Sequence, residues 1–440
     1  MASTPADVSV SAQPLALRKV RNRLLPFILV LYIVAFLDRI NIGFAALTMN
    51  AELGVTSQQF GFLIGIFFIG YAAFEIPSNL ILHKLGARIW IARILVVWGF
   101  VAALTGLVRN VHELYIARFL LGIAEAGYAP GILLYLTYWF SRREQAQAIA
   151  LFMIGIPICN VIGAPLSGLI LDHVHWLQLS SWRWLLILEG LPAVVLGALT
   201  YFVLPSRPDE AKFLTAEERQ WITARVKNDD TPGRGARDMS VGEALSDRRS
   251  WHLAAAGMTT GTAFYAVFFW MPQILKTIAE GQSNAGIGLL IAIPNAVGLA
   301  TMIAVSRHSD QKAERKWHVA ILAMIAGLAC IAFGAANSVL AAVLLMSIAI
   351  GSLCGYQGPL WALPSEGLTG AAAAFGIALV TTSTNLGGFI GPYLFGLITQ
   401  ASGTMSRAVE VAGIVLFVFA ALVLSIPKAH GLGCPTMHPE

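Results

Sequence analysis

Charge is what this chain has least of. Of its 440 residues, 12% are Asp, Glu, Lys or Arg, while 57% are hydrophobic and the mean hydropathy is +0.71. A soluble globule carries about 25% charged residues. Half that fraction, at this length, leaves no surface able to cover one water-soluble core. Cysteine is also scarce: Cys159, Cys330, Cys354 and Cys434, three of them inside apolar runs and none at metal-ligand spacing. That excludes a disulfide or zinc framework, and no metal site is expected. No nucleophile constellation is present, and the glycine-rich patches lie inside apolar runs without the strand that a phosphate-binding loop needs. An enzyme is therefore not expected, nor any cofactor. The net charge of +5 does not indicate nucleic acid, because the basic residues sit between apolar runs in the pattern of a membrane topology. The first apolar run follows "LRKVRNR" and lacks a small-x-small cleavage site, so it reads as a retained helix rather than a signal peptide.

What is abundant is apolar sequence in blocks of about 20 residues, the length that crosses a bilayer. Twelve are expected, at 24–46, 58–82, 89–108, 113–137, 146–170, 183–204, 251–275, 285–306, 318–336, 338–362, 371–398 and 406–427. The polar interval 205–250, with nine basic and nine acidic residues, separates six from six. Within it, "TAEERQWITARV" predicts a short amphipathic helix opening at Thr215, with Glu217 and Glu218 in its first turn. The expected organisation is a tail (1–23), a six-helix bundle (24–204), a linker (205–250), a second six-helix bundle (251–427) and a tail (428–440). Twelve spans put both termini on one side. That side, with the linker, collects 22 Lys and Arg against four opposite, which predicts cytoplasmic termini.

The two sets of six repeat. "IGAPLSGLI" (162–170) and "IGPYLFGLI" (390–398) agree at six of nine positions, 228 residues apart. "HKLGAR" (83–88) and "DQKAER" (310–315) are a fainter echo at offset 227, sharing only the closing Arg88 and Arg315. Duplicated halves of parallel type suit alternating access between two rocking bodies. Glycines crowd the second, fifth and eleventh spans, where they permit close helix approach. Pro157, Pro165 and Pro392 predict local distortions.

Ionisable residues inside spans are expensive and usually functional. Asp38 and Asn41 share a face of the first span, with Arg39 about 100° away. Arg118 and Glu125, two turns apart, share a face of the fourth span with Gly122 between them. Spans seven and ten carry no such pair. Glu75 and Glu189 also lie in first-half spans, with no arginine on the same helix face and no evident role. The second half offers neutral polarity: Tyr265 and Gln273, Asn295, then Tyr356, Gln357 and Trp361, and the run Thr381 to Asn385, apart from Glu366 near a weak boundary. Asn385, beside Gly387-Gly388, is the best ligand candidate among them. Arginine's paired donors match a planar carboxylate. Structural ion pairing between helices is the competing account of these charges.

The stretches "LDRINIGFA" (37–45), "FEIPSN" (74–79), "ARFLLGIAEAGYAPG" (117–131) and "SRHSDQKAERKWH" (306–318) resemble the anion:cation symporter family of the major facilitator superfamily, over roughly 18–430. The resemblance implies an all-α membrane protein of twelve transmembrane helices in two halves, set in a bacterial inner membrane and working as a monomer. It implies that Arg39 and Arg118 meet the anion, that Asp38 and Glu125 exchange protons, and that Asn385 and Tyr71 line the cavity, with Tyr265, Gln357 and Trp361 as further wall candidates. The superfamily's loop motif maps to His83, Lys84, Gly86 and Arg88, and its second copy to Asp310, Glu314 and Arg315. The first copy departs from the motif, since His83-Lys84 replaces the expected aspartate-arginine. The function expected is proton-coupled uptake of a small organic anion, such as a sugar acid or a dicarboxylate like tartrate. An aromatic carboxylate symporter, an exchanger and an anion channel are the alternatives.

Overall fold

The computed structural model describes residues 12–229, 246–363 and 370–426. Residues 1–11, 230–245 of the linker, 364–369 with Glu366, and 427–440 lie outside the described residues. Every regular element among the described residues is helical. The helices are α1 Ala12–Leu53, α2 Ser57–Leu85, α3 Ala87–Thr105, α4 Val111–Glu125, α5 Tyr128–Thr137, α6 Arg142–Met153, α7 Gly155–His173 and α8 Ser181–Val203. After the linker helix α9 Ala216–Asp229 come α10 Arg248–Ile278, α11 Asn284–Lys312, α12 Lys316–Phe333, α13 Val339–Gly355, α14 Gln357–Ala362, α15 Gly370–Ser402 and α16 Met405–Ser425. Eleven helical stretches among the described residues are long and apolar enough to cross a membrane. The 33-residue α15, which contains no Asp, Glu, Lys or Arg, is the twelfth.

Local chemistry sets the helix starts. Thr56 opens α2 with a reciprocal capping box to Gln59, and Asn110 caps α4 through the Glu113 amide. In the second half Ser283 caps α11 and Ser338 caps α13 in the same way. Thr56 and Ser283 are 227 residues apart, Asn110 and Ser338 are 228 apart, so the caps repeat with the offset of the duplicated motif. Each cap satisfies an amide that the first helical turn leaves without a partner. The linker helix begins as expected: Thr215 Oγ1 accepts from the Glu218 amide (3.2 Å), and Glu218 Oε2 accepts from the Thr215 amide (2.8 Å). Glu218 also binds Lys19 at 2.7 Å, which ties α9 to α1.

Three expected spans prove to be broken. The fourth divides into α4 and α5 because Gly127 adopts φ +82°, a conformation that glycine takes without steric cost, and a Cβ there would strike the Ser78 side chain. The fifth divides at Ile154, just before the first turn of α7 that holds Pro157, and the tenth divides at Tyr356. Pro165 and Pro392 lie within α7 and α15, which continue through them. α1 is longer than expected, 42 residues rather than a bare span.

Within the first half α1 packs on α7 and α8, α2 on α4, and α3 on α8; within the second, α10 packs on α15 and α16, α11 on α13, and α12 on α16. Three crossings join the halves: α1 with α10, α2 with α15 and α7 with α11. They are tightest toward the end of the bundle remote from the described termini. There a Cβ on Gly61 would strike the Pro392 carbonyl, and one on Gly288 would strike the Ala164 carbonyl; Gly396 stands likewise against Ser57 and Gly168 against Asn284. These are two copies of one crossing, related by the same 227–228 offset. The repeated motif is therefore a backbone-to-backbone contact surface between halves.

Candidate functional site

Midway along the first half, four ionisable residues come together. Arg39 of α1 forms an ion pair with Glu125 Oε1 of α4. Asp38, Arg118 and Glu125 are each 1% exposed. Asp38 points away from Arg39 into the half: its carboxylate accepts from Asn41 Nδ2 (3.1 Å) and from Trp98 Nε1 of α3 (2.6 Å). The Asp38–Asn41 bond realises their i, i+3 spacing. Glu125 shares a buried face of α4 with Arg118, as their spacing predicts, and their charges interact, yet its ion pair is made with another helix. It is the last residue of α4, and the break at Ala126–Gly127 leaves it beside Arg39 on another helix.

The two guanidinium groups share an aromatic divider. Arg39 lies 5.3 Å and Arg118 5.2 Å from the centroid of Phe67, and Arg39 also lies 5.3 Å from Phe36 and 5.6 Å from Tyr71. Ring faces attract cations, so α2 holds both arginines in place without neutralising them. Nε and Nη2 of Arg118 are buried and have no hydrogen-bond partner, nor has Nε of Arg39. Buried donors on a charged group are costly to leave unsatisfied, which marks Arg118 as a group built to receive an acceptor.

The facing wall is mostly aromatic. Tyr265 of α10 packs on Phe68 (4.6 Å between centroids) and on Phe269, close enough to Arg39 for their charges to interact. Tyr71 is buried beside Phe67. Asn385 of α15 donates to Glu75 Oε2 of α2 at 3.5 Å. Gln357 and Trp361 are bonded to one another on α14 (3.1 Å), and neither has a hydrogen bond to the arginine cluster. Sequence reasoning gave no role to Glu75, Phe67 or Trp98. The spacing Phe67–Tyr71–Glu75, four and four, was a legible stripe on one face of α2. Nothing in the sequence marked Trp98 as the partner of Asp38. Glu189, fully buried on α8, accepts from Ser167 Oγ at 2.7 Å.

The loop copies are built differently. His83 and Lys84 are exposed at the end of α2, Gly86 turns the chain at φ +86°, and Arg88 stacks on Tyr201 (4.8 Å) while its amide meets Ser206 Oγ (3.4 Å). In the second copy Asp310 and Arg315 form an ion pair within the loop (3.4 Å). Glu314 there caps α12 through the Trp317 amide (2.8 Å) and His318. Against slight desolvation, those bonds hold the Glu314 carboxyl below its ordinary range. Among the described residues no group of three or more His, Cys, Asp or Glu could hold a metal ion.

Comparison with known proteins agrees with this architecture. The Major Facilitator Superfamily model matches residues 28–392. A protein of Agrobacterium vitis described as "Putative tartrate transporter" is 44% identical over 94% of this chain and 92% of its own. A Pseudomonas putida protein described as "Putative metabolite transport protein NicT" is 38% identical over 93% of this chain and 94% of its own. Among solved structures, the xylose transporter XylE from E. coli, in a partially occluded inward open conformation, superposes with a TM-score of 0.74 at 15% identity, covering 94% of this chain and all of that one. The chain is thus a multi-pass membrane transporter, not an enzyme, and it belongs to the Major Facilitator Superfamily, as a permease of the anion:cation symporter type.

Proposed function

We propose that the protein carries a small organic anion across the bacterial inner membrane in symport with protons, by alternating access, and that the anion is a hydroxylated dicarboxylate of the tartrate class. The observation that carries the reading is Arg118, a buried guanidinium with two donors free of partners, one aromatic ring away from a second arginine. Two such groups suit a carboxylate at each end of a short substrate, because arginine offers paired donors in a plane. The relatives described as tartrate transporters point the same way.

Coupling follows from competition. Arg39 is paired with Glu125. An arriving carboxylate competes for Arg39, and Glu125 is released from its cation into a low-dielectric setting, where a proton must replace that cation. Anion and proton then favour each other's binding by the same factor. Asp38, bonded to Trp98 and Asn41, joins α1 to α3 and takes a second proton-exchanging role within the half. The halves occupy 24–204 and 251–427 with 205–250 as linker, the termini are cytoplasmic as the 22-to-4 basic bias requires, and the glycine crossings close the periplasmic side. One chain is the working unit.

The test is uptake by the purified protein in proteoliposomes across a carboxylate panel, with and without an inward proton gradient. Gradient-driven accumulation of tartrate is expected. Preference for nicotinate or phthalate, with tartrate excluded, overturns the substrate class, and a continuous anion conductance overturns the carrier mechanism. Cysteines at Glu280 and Asp230 are expected to label from opposite sides of the membrane, Asp230 from the cytoplasm.

A further inference from the structure

Halves that rock must make and break polar contacts across the gap between them. Among the described residues these contacts fall at two levels. At the end remote from the described termini, Asn50 meets Gln273, Gln58 meets Gln400 and Tyr393, and Asp172 meets Asn284 and Ala285. Much deeper lies the bond from Asn385 Nδ2 to Glu75 Oε2. Glu75 is 18 residues along α2 from Ser57, about 27 Å, and Asn385 is 17 residues before Ser402, about 26 Å. They meet at one depth, slightly beyond that of Arg39.

Glu75 has an unusual environment for an acid. It is 7% exposed, and its hydrogen-bond partner is an amide rather than a cation. The groups whose charge acts on it are Arg39 from α1, Tyr71 from its own helix and Tyr265 from α10. Arg39 is already paired with Glu125. Asp38 and Glu125 balance Arg39 and Arg118, which leaves two buried acids of the first half without a cation: Glu189, bonded to Ser167 on α7, and Glu75, which alone of the two reaches across to the other half. Every added anion makes that surplus worse. A carboxylate out of water needs a cation or a proton beside it, and an arriving substrate supplies neither.

We propose that Glu75 is a third acid of the substrate site: in the empty carrier it holds Asn385, and when the anion enters, Asn385 turns to the anion and Glu75 takes a proton. The bond broken is Asn385 N–H to Glu75 Oε2, and the bond formed is Asn385 N–H to a substrate oxygen. The proton is drawn from the bulk buffer, relayed as hydronium through the water that enters with the anion, and sits on the freed Oε2, whose O–H then donates to a substrate hydroxyl or carboxylate. This rests on the reading of Arg39 and Arg118 as the carboxylate receptor, and adds a proton at Glu75 to the exchange assigned to Glu125 and Asp38. It also makes Glu75 a filter, because a site with Glu75 ionised repels the dianion.

The experiment uses full-length protein in detergent with tartrate as probe. Calorimetry in buffers of different ionisation enthalpy counts protons taken up per tartrate bound. Glu75→Gln is expected to take up about one proton fewer than wild type, and to bind tartrate about tenfold tighter than wild type at pH 8 with little difference at pH 5.5. Glu75→Asp keeps the wild-type pH dependence. Equal proton uptake in Glu75→Gln and wild type, or a loss of affinity that is the same at every pH, overturns the proposal. An infrared difference spectrum between pH 5.5 and 8, recorded without any anion, separates this from failure of the receptor reading: a titrating carboxyl band in wild type is expected to vanish in Glu75→Gln. If Glu75→Gln does not fold, the same band is expected to shift in Asn385→Ala. A band unchanged in the variant recovered overturns the proposal whatever the substrate is.

Discussion

The two halves of this transporter share a frame and differ in what they bury. Thr56 and Ser283, Asn110 and Ser338, and the glycine crossings at Gly61 and Gly288 all repeat at one offset. Yet the first half buries Asp38, Glu75, Arg118, Glu125 and Glu189, while the one charged residue buried in the second half, among the described residues, is Arg249 in the first turn of α10. Buried polarity in the second half is mostly settled within itself: Thr260 with Tyr356 at 2.8 Å, and Asn295 Nδ2 with the Ile291 carbonyl at 2.9 Å. Shape repeats because each half must close on the other. Chemistry need not repeat, and concentrating charge in one body lets the other slide past it as a neutral wall.

That asymmetry can be broken from either side, and the largest effect is expected in the charged half. Arg118→Lys keeps the charge and loses the planar fork, and anion affinity by calorimetry is expected to fall by about 100-fold, the upper end for charge-assisted hydrogen bonds. Affinity within threefold of wild type would show that Arg118 makes no paired contact. A smaller effect is expected where the halves meet. Asp172 accepts from the Asn284 amide (3.1 Å), Asn284 Nδ2 (2.8 Å) and the Ala285 amide (2.8 Å) at the start of α11. At the equivalent place Gln400 accepts from the Gln58 amide at 3.1 Å. One contact is made with a charge and the other without, and anions favour helix N-termini. Asp172→Ala is expected to raise the alkylation rate of a cysteine at Gln273 about tenfold, and Gln400→Ala about threefold or less. Equal effects would mean that the charge on Asp172 contributes nothing to closure. The smallest effect is expected in the neutral half. Tyr356→Phe removes the bond to Thr260, costs about 1 kcal/mol of stability, and leaves tartrate uptake within twofold; a tenfold loss of uptake would place Tyr356 in the transport path.

Much of the frame could be read from the residues. Span count follows from apolar length, the opening of α9 follows from Thr215 and Glu218, and the Asp38–Asn41 bond follows from i, i+3 spacing. The site was legible by residue type and not by pairing. A helical face relates residues on one helix, so it put Arg118 and Glu125 on one surface and left the ion-pair partner of Glu125 open. The partner of Glu125 was decided instead by the chain break at Gly127 and by which helices adjoin α4. Glu75 was passed over for the same reason: its partner is 310 positions away on α15. The breaks at Ile154 and Tyr356 fall beside helix breakers, Gly155 and Pro157 in one case and Gly358 and Pro359 in the other, but apolar residues continue on both sides, so hydropathy has no boundary to mark.

The central claim is that anion and proton meet through the Arg39–Glu125 pair. The direct measurement is Glu125→Gln in proteoliposomes, read both as tartrate accumulation under an inward proton gradient and as exchange of labelled for unlabelled tartrate at equal pH. Glutamine mimics the protonated acid, so the pair is permanently released. The account predicts that accumulation disappears while exchange continues at a rate within several-fold of wild type. Accumulation that persists uphill with an unchanged proton-to-anion ratio would contradict it.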